Sequence, residues 1–339
     1  AFITIKVSEK SKSVFIDPGA TGTNGDGSRE NPLTSWENLS FESHTSYFFQ
    51  RSSSIEAKGT LIDDKKNMVF GAYGIGERPK IRFDAAVNSF KLRGCDGYVI
   101  SDLDLTSSTD PNRILETYSN NFTINNCIIS HAGMGMRGSG DDGKILFSTF
   151  HDVNRDGIYL TNDALNLEIG NCHFFNINMR YMENAPNTGY GEATGDAIQL
   201  EGANCSGARI HHNIMDRHNT GHKFNLIING FRDGVGSTDI IIEHNVSIGP
   251  KDTNEQPGSG FYIVAVGPTS RYNEFIDAPT AYANVSRDAI AHHNIIRNSK
   301  NGFGVGKNTM IINNNTFYDV DYCVGMWPDG EGGQFKNNI

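Results

Sequence analysis

The second half of the chain repeats one short pattern: an apolar residue, two spacers, then Asn, Cys or Ser, one spacer, and usually another apolar residue. It reads Ile124-Cys127-Ile129, Ile145-Ser148-Phe150, Ile169-Cys172-Phe174, Ile210-Asn213-Met215, Ile242-Asn245-Ser247, Ala291-Asn294-Ile296 and Ile312-Asn315-Phe317, with Phe335-Asn338 opening a further copy. Successive anchors lie 21 residues apart from Cys127 to Ser148, 24 from Ser148 to Cys172, 21 from Asn294 to Asn315 and 23 from Asn315 to Asn338. A fixed period of this size with apolar alternation of period two describes one coil of a stacked β-solenoid. Each coil buries its inward side chains on the next, so the core is a column. A leucine-rich repeat has a similar length but needs a dense Leu pattern, and these rungs use Ile, Phe, Asn and Cys. The expected fold is all-β: a right-handed parallel β-helix.

The residue before each anchor is Asn126, Asn171, His212, His244, His293, Asn314 or Asn337. Asn tolerates the left-handed backbone of tight turns. These positions, with the pairs His211-His212 and His292-His293, therefore read as stacked turn residues before they read as metal ligands. Cys127 and Cys172 occupy anchor positions and should point into the column as small hydrophobes. With Cys95, Cys205 and Cys323 the cysteines number five. That odd number without a zinc spacing predicts free buried thiols rather than a disulfide framework. Asn-x-Ser/Thr triplets begin at Asn121, Asn204, Asn245 and Asn284, as Asn-rich turns produce by chance.

The 339 residues suffice for one elongated domain over 1–339, with a strand and cap over about 1–45 and coils from about 46 onward. No apolar run reaches membrane-spanning length, so no helical span is expected. A net charge of −10 argues against nucleic acid as a partner. An acidic body still permits an anionic sugar, because a basic cleft acts locally. We expect a secreted monomer; the start at Ala1 fits a processed product, and Ile339 falls inside an incomplete rung.

The first third is less regular. Phe15-Ile16-Asp17, a Gly-rich loop and an amphipathic helix over about Ser35–Leu39 would cap the first coil and shield its open edge. The segment Asp26-Gly27-Ser28 to Asn31-Pro32, the strand Phe48-Phe49-Gln50-Arg51 and the turn Gly71-Ala72-Tyr73-Gly74 to Pro79 resemble the N-terminal coils of secreted pectate-lyase-like β-helix proteins. That superfamily includes alginate lyases, pectate lyases, chondroitinase B, mannuronan epimerases and phage tailspike depolymerases. The resemblance covers most of the chain and implies action on a polysaccharide.

Function on a solenoid gathers where the period fails. Cys172 to Asn213 spans 41 residues, Asn213 to Asn245 spans 32 and Asn245 to Asn294 spans 49. Against a coil of about 22, roughly 19, 10 and 27 residues are extra. They lie near Asn178–Thr194, His218–Gly236 and Gly249–Arg287, and could wall one cleft. If Ile158, Ile198, Phe224 and Leu226 face inward, then Tyr159, Gln199, Lys223, Asn225 and Tyr262 face outward in one stack. The inserts add Arg180, Tyr181, Tyr190, Arg271 and Tyr272, and His222 flanks Lys223. Together these form an expected groove for a uronate chain.

Two chemistries compete there. β-Elimination needs neutralisation of the uronate carboxylate, a base for the C5 proton and an acid for the leaving oxygen. The alginate lyases of the superfamily use a lysine base with a tyrosine or arginine partner. That resemblance makes Lys223 the base and Tyr190 the acid, with Tyr181 as alternate. Lysine is a workable base where burial or nearby cations lower its pKa. Tailspike-like hydrolysis would instead pair carboxylates from Asp156, Asp196 and Glu201. The Asp-Pro-His tripeptide of mannuronan epimerases is absent, and Gly221-His222 is followed by Lys223 where polygalacturonases carry a second Gly. No cofactor is expected; Asp141-Asp142 offers an oxygen-rich turn to Ca²⁺, a minority reading. A non-catalytic, polysaccharide-binding β-helix is the third alternative.

Overall fold

The structure, a computed structural model, describes residues 12–21, 25–83, 90–107, 113–177, 195–201, 204–217, 224–232, 235–249, 259–306, 309–326 and 333–339. It is a right-handed parallel β-solenoid with three strands to most coils. The first strands of the coils make a thirteen-stranded parallel sheet, from Lys12–Ile16 to Gly333–Lys336. A second ribbon follows the anchors and includes Ile128–Ala132, Thr149–Val153, His173–Ile177, Ile214–Asp216 and Val246–Ile248. The third includes Phe90–Asp96, Leu115–Asn120, Met136–Ser139, Ile158–Thr161, Ile198–Glu201, Phe224–Asn229 and Ser259–Val264. The two ribbons fuse at the long strands Ile295–Val305 and Thr316–Met326.

Register converts the sequence repeat into the core. In the thirteen-stranded sheet Ile100, Ile124, Ile145, Ile169, Ile210 and Ile242 are successive partners, all with zero exposure. Phe150, Phe174 and Met215 continue the column on the second ribbon, and Met136, Ile158 and Ile198 on the third. Each such side chain stabilises the fold by about 1.5–3 kcal/mol relative to exposure.

The anchors form a buried ladder. Asn213, Asn245, Asn273, Asn294 and Asn315 each accept on Oδ1 from the backbone N–H of the anchor one coil earlier, at 2.8–3.0 Å. Each Nδ2 donates to a backbone carbonyl, as from Asn213 to Ile169 and from Asn245 to Ile210. The ladder thereby satisfies the side-chain amides of these anchors inside the column. The preceding residues Asn126, Asn171, His212, His244, His293, Asn314 and Asn337 all have φ between 52° and 56°, the left-handed turn expected of them. His212, His244 and Tyr272 stack ring on ring at 4.8 and 5.0 Å. Burial and then the neighbouring imidazoles hold His212 below its ordinary pKa, so its ring favours the neutral form.

Three expectations require correction. The N-terminal cap is not a helix: the described residues show only a three-residue 3₁₀ turn at Trp36–Asn38. Its buried indole donates to Thr60 and packs against Phe49, Phe83 and Phe90, so the aromatic side chain does the capping. The span Gly249–Arg287 is not one insert. It contains a full coil anchored by Asn273, which the repeat missed because Ser270 stands where the apolar residue is usual. Cys95, Cys127, Cys172 and Cys205 are free and buried as expected, but Cys323 is exposed. Asn245 and Asn284 are core residues at 1 % exposure, consistent with chance triplets. No helix among the described residues is long and apolar enough to cross a membrane.

Candidate active site

Long connections enter the third ribbon from the second, and a further one leaves it for the thirteen-stranded sheet through the hairpin of Phe231–Arg232 and Val235–Gly236. Ile177 leads to Ile198, Asp216 to Phe224 and Ile248 to Ser259, whereas Val153 reaches Ile158 in a tight turn. Along this ribbon inward and outward residues alternate, so parallel register aligns one outward residue per coil. The outward row runs Lys91, Glu116, Arg137, Tyr159, Gln199, Ile227 and Tyr262. Glu201 sits beside it, one step along from Gln199 and paired in register with Thr161.

These side chains hold one another. Glu116, at 2 % exposure, takes Lys91 Nζ at 2.9 Å on one oxygen and Arg113 Nη1 at 3.0 Å on the other. Burial opposes its ionisation, but those two cations outweigh burial and hold its carboxyl below the usual range. Next in the row, the Arg137 guanidinium carbon stands 5.6 Å from the centre of the Tyr159 ring, a cation–π contact. Arg137 Nε is buried and has no hydrogen-bond partner among the described residues. The Tyr159 hydroxyl donates to Glu201 Oε2 at 3.0 Å, and Gln199 Nε2 donates to the same oxygen at 2.7 Å. Burial first, then the Glu201 carboxylate, pushes the Tyr159 phenol up to about 12, which keeps it protonated. Lys91 and Arg113 thus pair with Glu116, while Arg137 lies on the ring of the tyrosine that holds Glu201.

Beneath the row lies a second carboxylate chain. Asp156 Oδ1 accepts the Asp196 N–H at 2.9 Å, and Asp196 Oδ1 accepts the Phe224 N–H at 2.8 Å. Both acids are buried, at 0 % and 2 % exposure. Burial pushes Asp156 up to about 7; Arg155, 3.9 Å from its Oδ2, works against that and Glu201 reinforces it. These aspartates fix the turns that deliver the strands Ile158–Thr161, Ile198–Glu201 and Phe224–Asn229. Arg217, lowered by burial to about 10 despite the Asp196 carboxylate, packs under the same corner and donates to the Ser259 carbonyl.

Of the site residues predicted from sequence, Tyr159, Gln199 and Tyr262 share this ribbon's outward side. Asn225 does not. It is fully buried, donating to Ser247 Oγ at 2.8 Å and the Ile248 carbonyl at 3.0 Å. Alternation breaks there, because Asn225 and Leu226 both turn inward; Phe224, expected inside, is half-buried and meets the Tyr262 ring at 5.4 Å. Arg271 and Tyr272 belong to the thirteen-stranded sheet and its corner, where Arg271 pairs with Glu243 at 2.7 Å, so they leave the groove. Asp141 and Asp142 cap Leu165 and Asn166 in a stacked turn. Lys223, His222, Tyr190, Tyr181 and Arg180 lie outside the described residues. Lys91, Arg113, Glu116 and Arg137 were missed. Extending the third ribbon's own period back from Ile158 through Met136 to Leu115 would have found Glu116 and Arg137.

No family model matches the chain, and no curated protein sequence does. Solved structures do. An alginate lyase from Paenibacillus sp. str. FPU-7 superposes with a TM-score of 0.52 at 14 % identity, covering 89 % of this chain and 94 % of the other. Pectate lyase Pel9A gives 0.55 at 13 % identity, over 93 % and 78 %. The catalytic unit of a GH87 α-1,3-glucanase from Streptomyces thermodiastaticus strain HF3-3 gives 0.58 at 12 % identity over 87 % of this chain, which spans 63 % of that unit. The likeness is one of fold: this chain has the parallel β-helix of pectate-lyase-like proteins.

Proposed function

We propose that this chain is a carbohydrate-active enzyme that binds an acidic, uronate-containing polysaccharide along the third ribbon and cleaves it by β-elimination, with alginate as the leading substrate. The observation that carries the reading is the outward row itself. Arg137, with no ion pair among the described residues, lies on the ring of a protonated phenol, and Lys91 and Arg113, paired to Glu116, continue the row. Such a row matches a chain bearing one carboxylate per sugar. The lyases and hydrolases that share the fold support action on a glycan. A polymeric glycan as substrate would place the enzyme outside the cell.

In this reading Arg137 neutralises the substrate carboxylate and so acidifies the C5 proton. Lys223, which precedes Phe224 in the sequence, takes that proton. The freed electron pair forms the C4=C5 double bond and the C4–O bond breaks. Tyr159 gives its proton to the departing oxygen, after Glu201, itself held by Gln199, has positioned the phenol. Tyr159 thereby takes the role that the sequence assigned to Tyr190 or Tyr181. No metal or cofactor enters the scheme.

Hydrolysis is the second reading, favoured by Glu201 at the surface of the row and by Asp156, partly protonated near neutral pH, beneath it. Incubation with alginate and with pectate, followed by ultraviolet absorbance and by reducing ends, separates the two. Elimination yields both a conjugated unsaturated uronate and a new reducing end. New reducing ends without absorbance would transfer the chemistry to the carboxylates. Loss of polymer length with neither substrate would remove the uronate reading.

A further inference from the structure

An opening among the described residues lies on a different sheet. At the N-terminal end of the thirteen-stranded sheet, a cavity of about 460 Å³ is lined by Asp17, Arg29, Glu30, Gln50, Tyr73 and Gly74 among others. Its wall is a loop clamped to the first strand. The Phe15 N–H donates to the Gly27 carbonyl, the Leu33 N–H to Phe15 and the Asp17 N–H to Leu33, at 2.8–2.9 Å. Gly25 closes that wall: a Cβ there would stand 2.0 Å from the Pro32 carbonyl oxygen. Gly74 opens the floor. With φ at +85° and no side chain it leaves the Gln50 amide facing the space, where a Cβ would approach Nε2 to 2.7 Å.

The lining has a definite chemistry. Gln50 and Tyr73 are register partners, on the side of the sheet where the Phe15 ring meets Tyr73 at 5.1 Å and Phe48 at 5.6 Å. Tyr73 thus presents a half-buried ring backed by the Phe15 ring, which in turn meets Phe48. Around it stand carboxylates, a guanidinium and an amide, a mixture of acceptors and donors close together. Rings that cover C–H faces, with several polar groups converging at the rim, suit a hydroxyl-rich ligand with one apolar face. Charge narrows the class. Asp17 and Glu30 oppose a single cation, Arg29, so the cavity is net acidic and disfavours a carboxylate ligand, the reverse of the outward row on the third ribbon. Asp17 and Arg29 both act electrostatically on the Tyr73 phenol, which places them around one ring.

We propose that this cavity is a second glycan-binding site, separate from the candidate active site, that holds an uncharged hexose unit against Tyr73. It does not depend on which reaction the third ribbon performs. On a composite cell-wall material such a site would tether the enzyme to a neutral glycan while the cationic row engages the uronate chain, raising the effective concentration of the latter.

The test is nuclear magnetic resonance titration of the isotope-labelled full chain with D-glucose, D-galactose and D-mannose separately, and with D-glucuronate. At least one hexose should shift the Gln50 side-chain amide and the Gly74 N–H, and D-glucuronate should bind more weakly than that hexose. Tyr73→Ala should weaken binding about tenfold, the scale of one lost aromatic contact. Glu30→Gln lies on an exposed loop, so it tests the rim without threatening the fold, and it too should weaken the hexose. Tyr159→Phe should leave hexose binding unchanged. The proposal is overturned if no hexose moves these signals, if binding survives in both cavity variants, or if D-glucuronate binds as tightly.

Discussion

Replacing Tyr159 by Phe is expected to lower the rate of alginate cleavage about 10²–10⁴-fold, the usual contribution of a positioned general acid. The substitution removes one hydroxyl and keeps the ring that Arg137 faces, so substrate affinity and thermal stability should change little. Glu201 keeps its hydrogen bond from Gln199 in the variant, which prevents a stranded carboxylate from confusing the result. Lys223→Ala should abolish turnover by removing the base. Asp196→Asn should retain most of it, because an Asn oxygen can still accept the Phe224 N–H. A Tyr159→Phe enzyme within about tenfold of the parent would return the acid role to Tyr190 or Tyr181. Loss of activity in Asp196→Asn with Lys223→Ala active would favour hydrolysis.

The largest stability effect should come from the anchor ladder. Asn273, at 1 % exposure, accepts from both the backbone N–H and the Nδ2 of Asn245, and donates to the Ile242 carbonyl and to Asn294 Oδ1. Asn273→Ala strands the Asn245 N–H and the Ile242 carbonyl inside the column. Each unmet buried group costs about 1–3 kcal/mol, so a loss of roughly 3–5 kcal/mol is expected in urea unfolding. Tyr272→Asn, one residue earlier at φ 55°, should cost less than about 1 kcal/mol. Asn already occupies the same left-handed turn at positions 126, 171, 314 and 337, and only ring stacking is lost. Equal effects from the two substitutions would mean that the ladder is not what joins the coils.

The contrast between anchors and groove shows what sequence could reveal. An anchor is defined by local turn geometry and repeats on every coil, so Asn213, Asn245, Asn294 and Asn315 were visible as a pattern. Asn273 escaped because Ser270 broke the apolar half of the signal, and that single miss turned a complete coil into a supposed insert and misplaced Arg271 and Tyr272. Tyr159 and Gln199 were legible because strict alternation holds over Ile158–Thr161 and Ile198–Glu201. At Asn225 it fails, since the amide finds Ser247 and Ile248 inside the column, and periodicity carries no warning of a partner one coil away. The ion cluster of Lys91, Arg113 and Glu116 was unreadable for a related reason. Its members come from different coils or a connecting segment and meet only once register is known.

The position of a bound uronate oligosaccharide on the slowed Tyr159→Phe protein, determined crystallographically, tests the central claim most directly. The account predicts a sugar chain lying across Arg137, residue 159 and Gln199, with a substrate carboxylate against the Arg137 guanidinium. An oligosaccharide seated on another face of the solenoid, or none bound at concentrations that saturate cleavage by the parent enzyme, would contradict it.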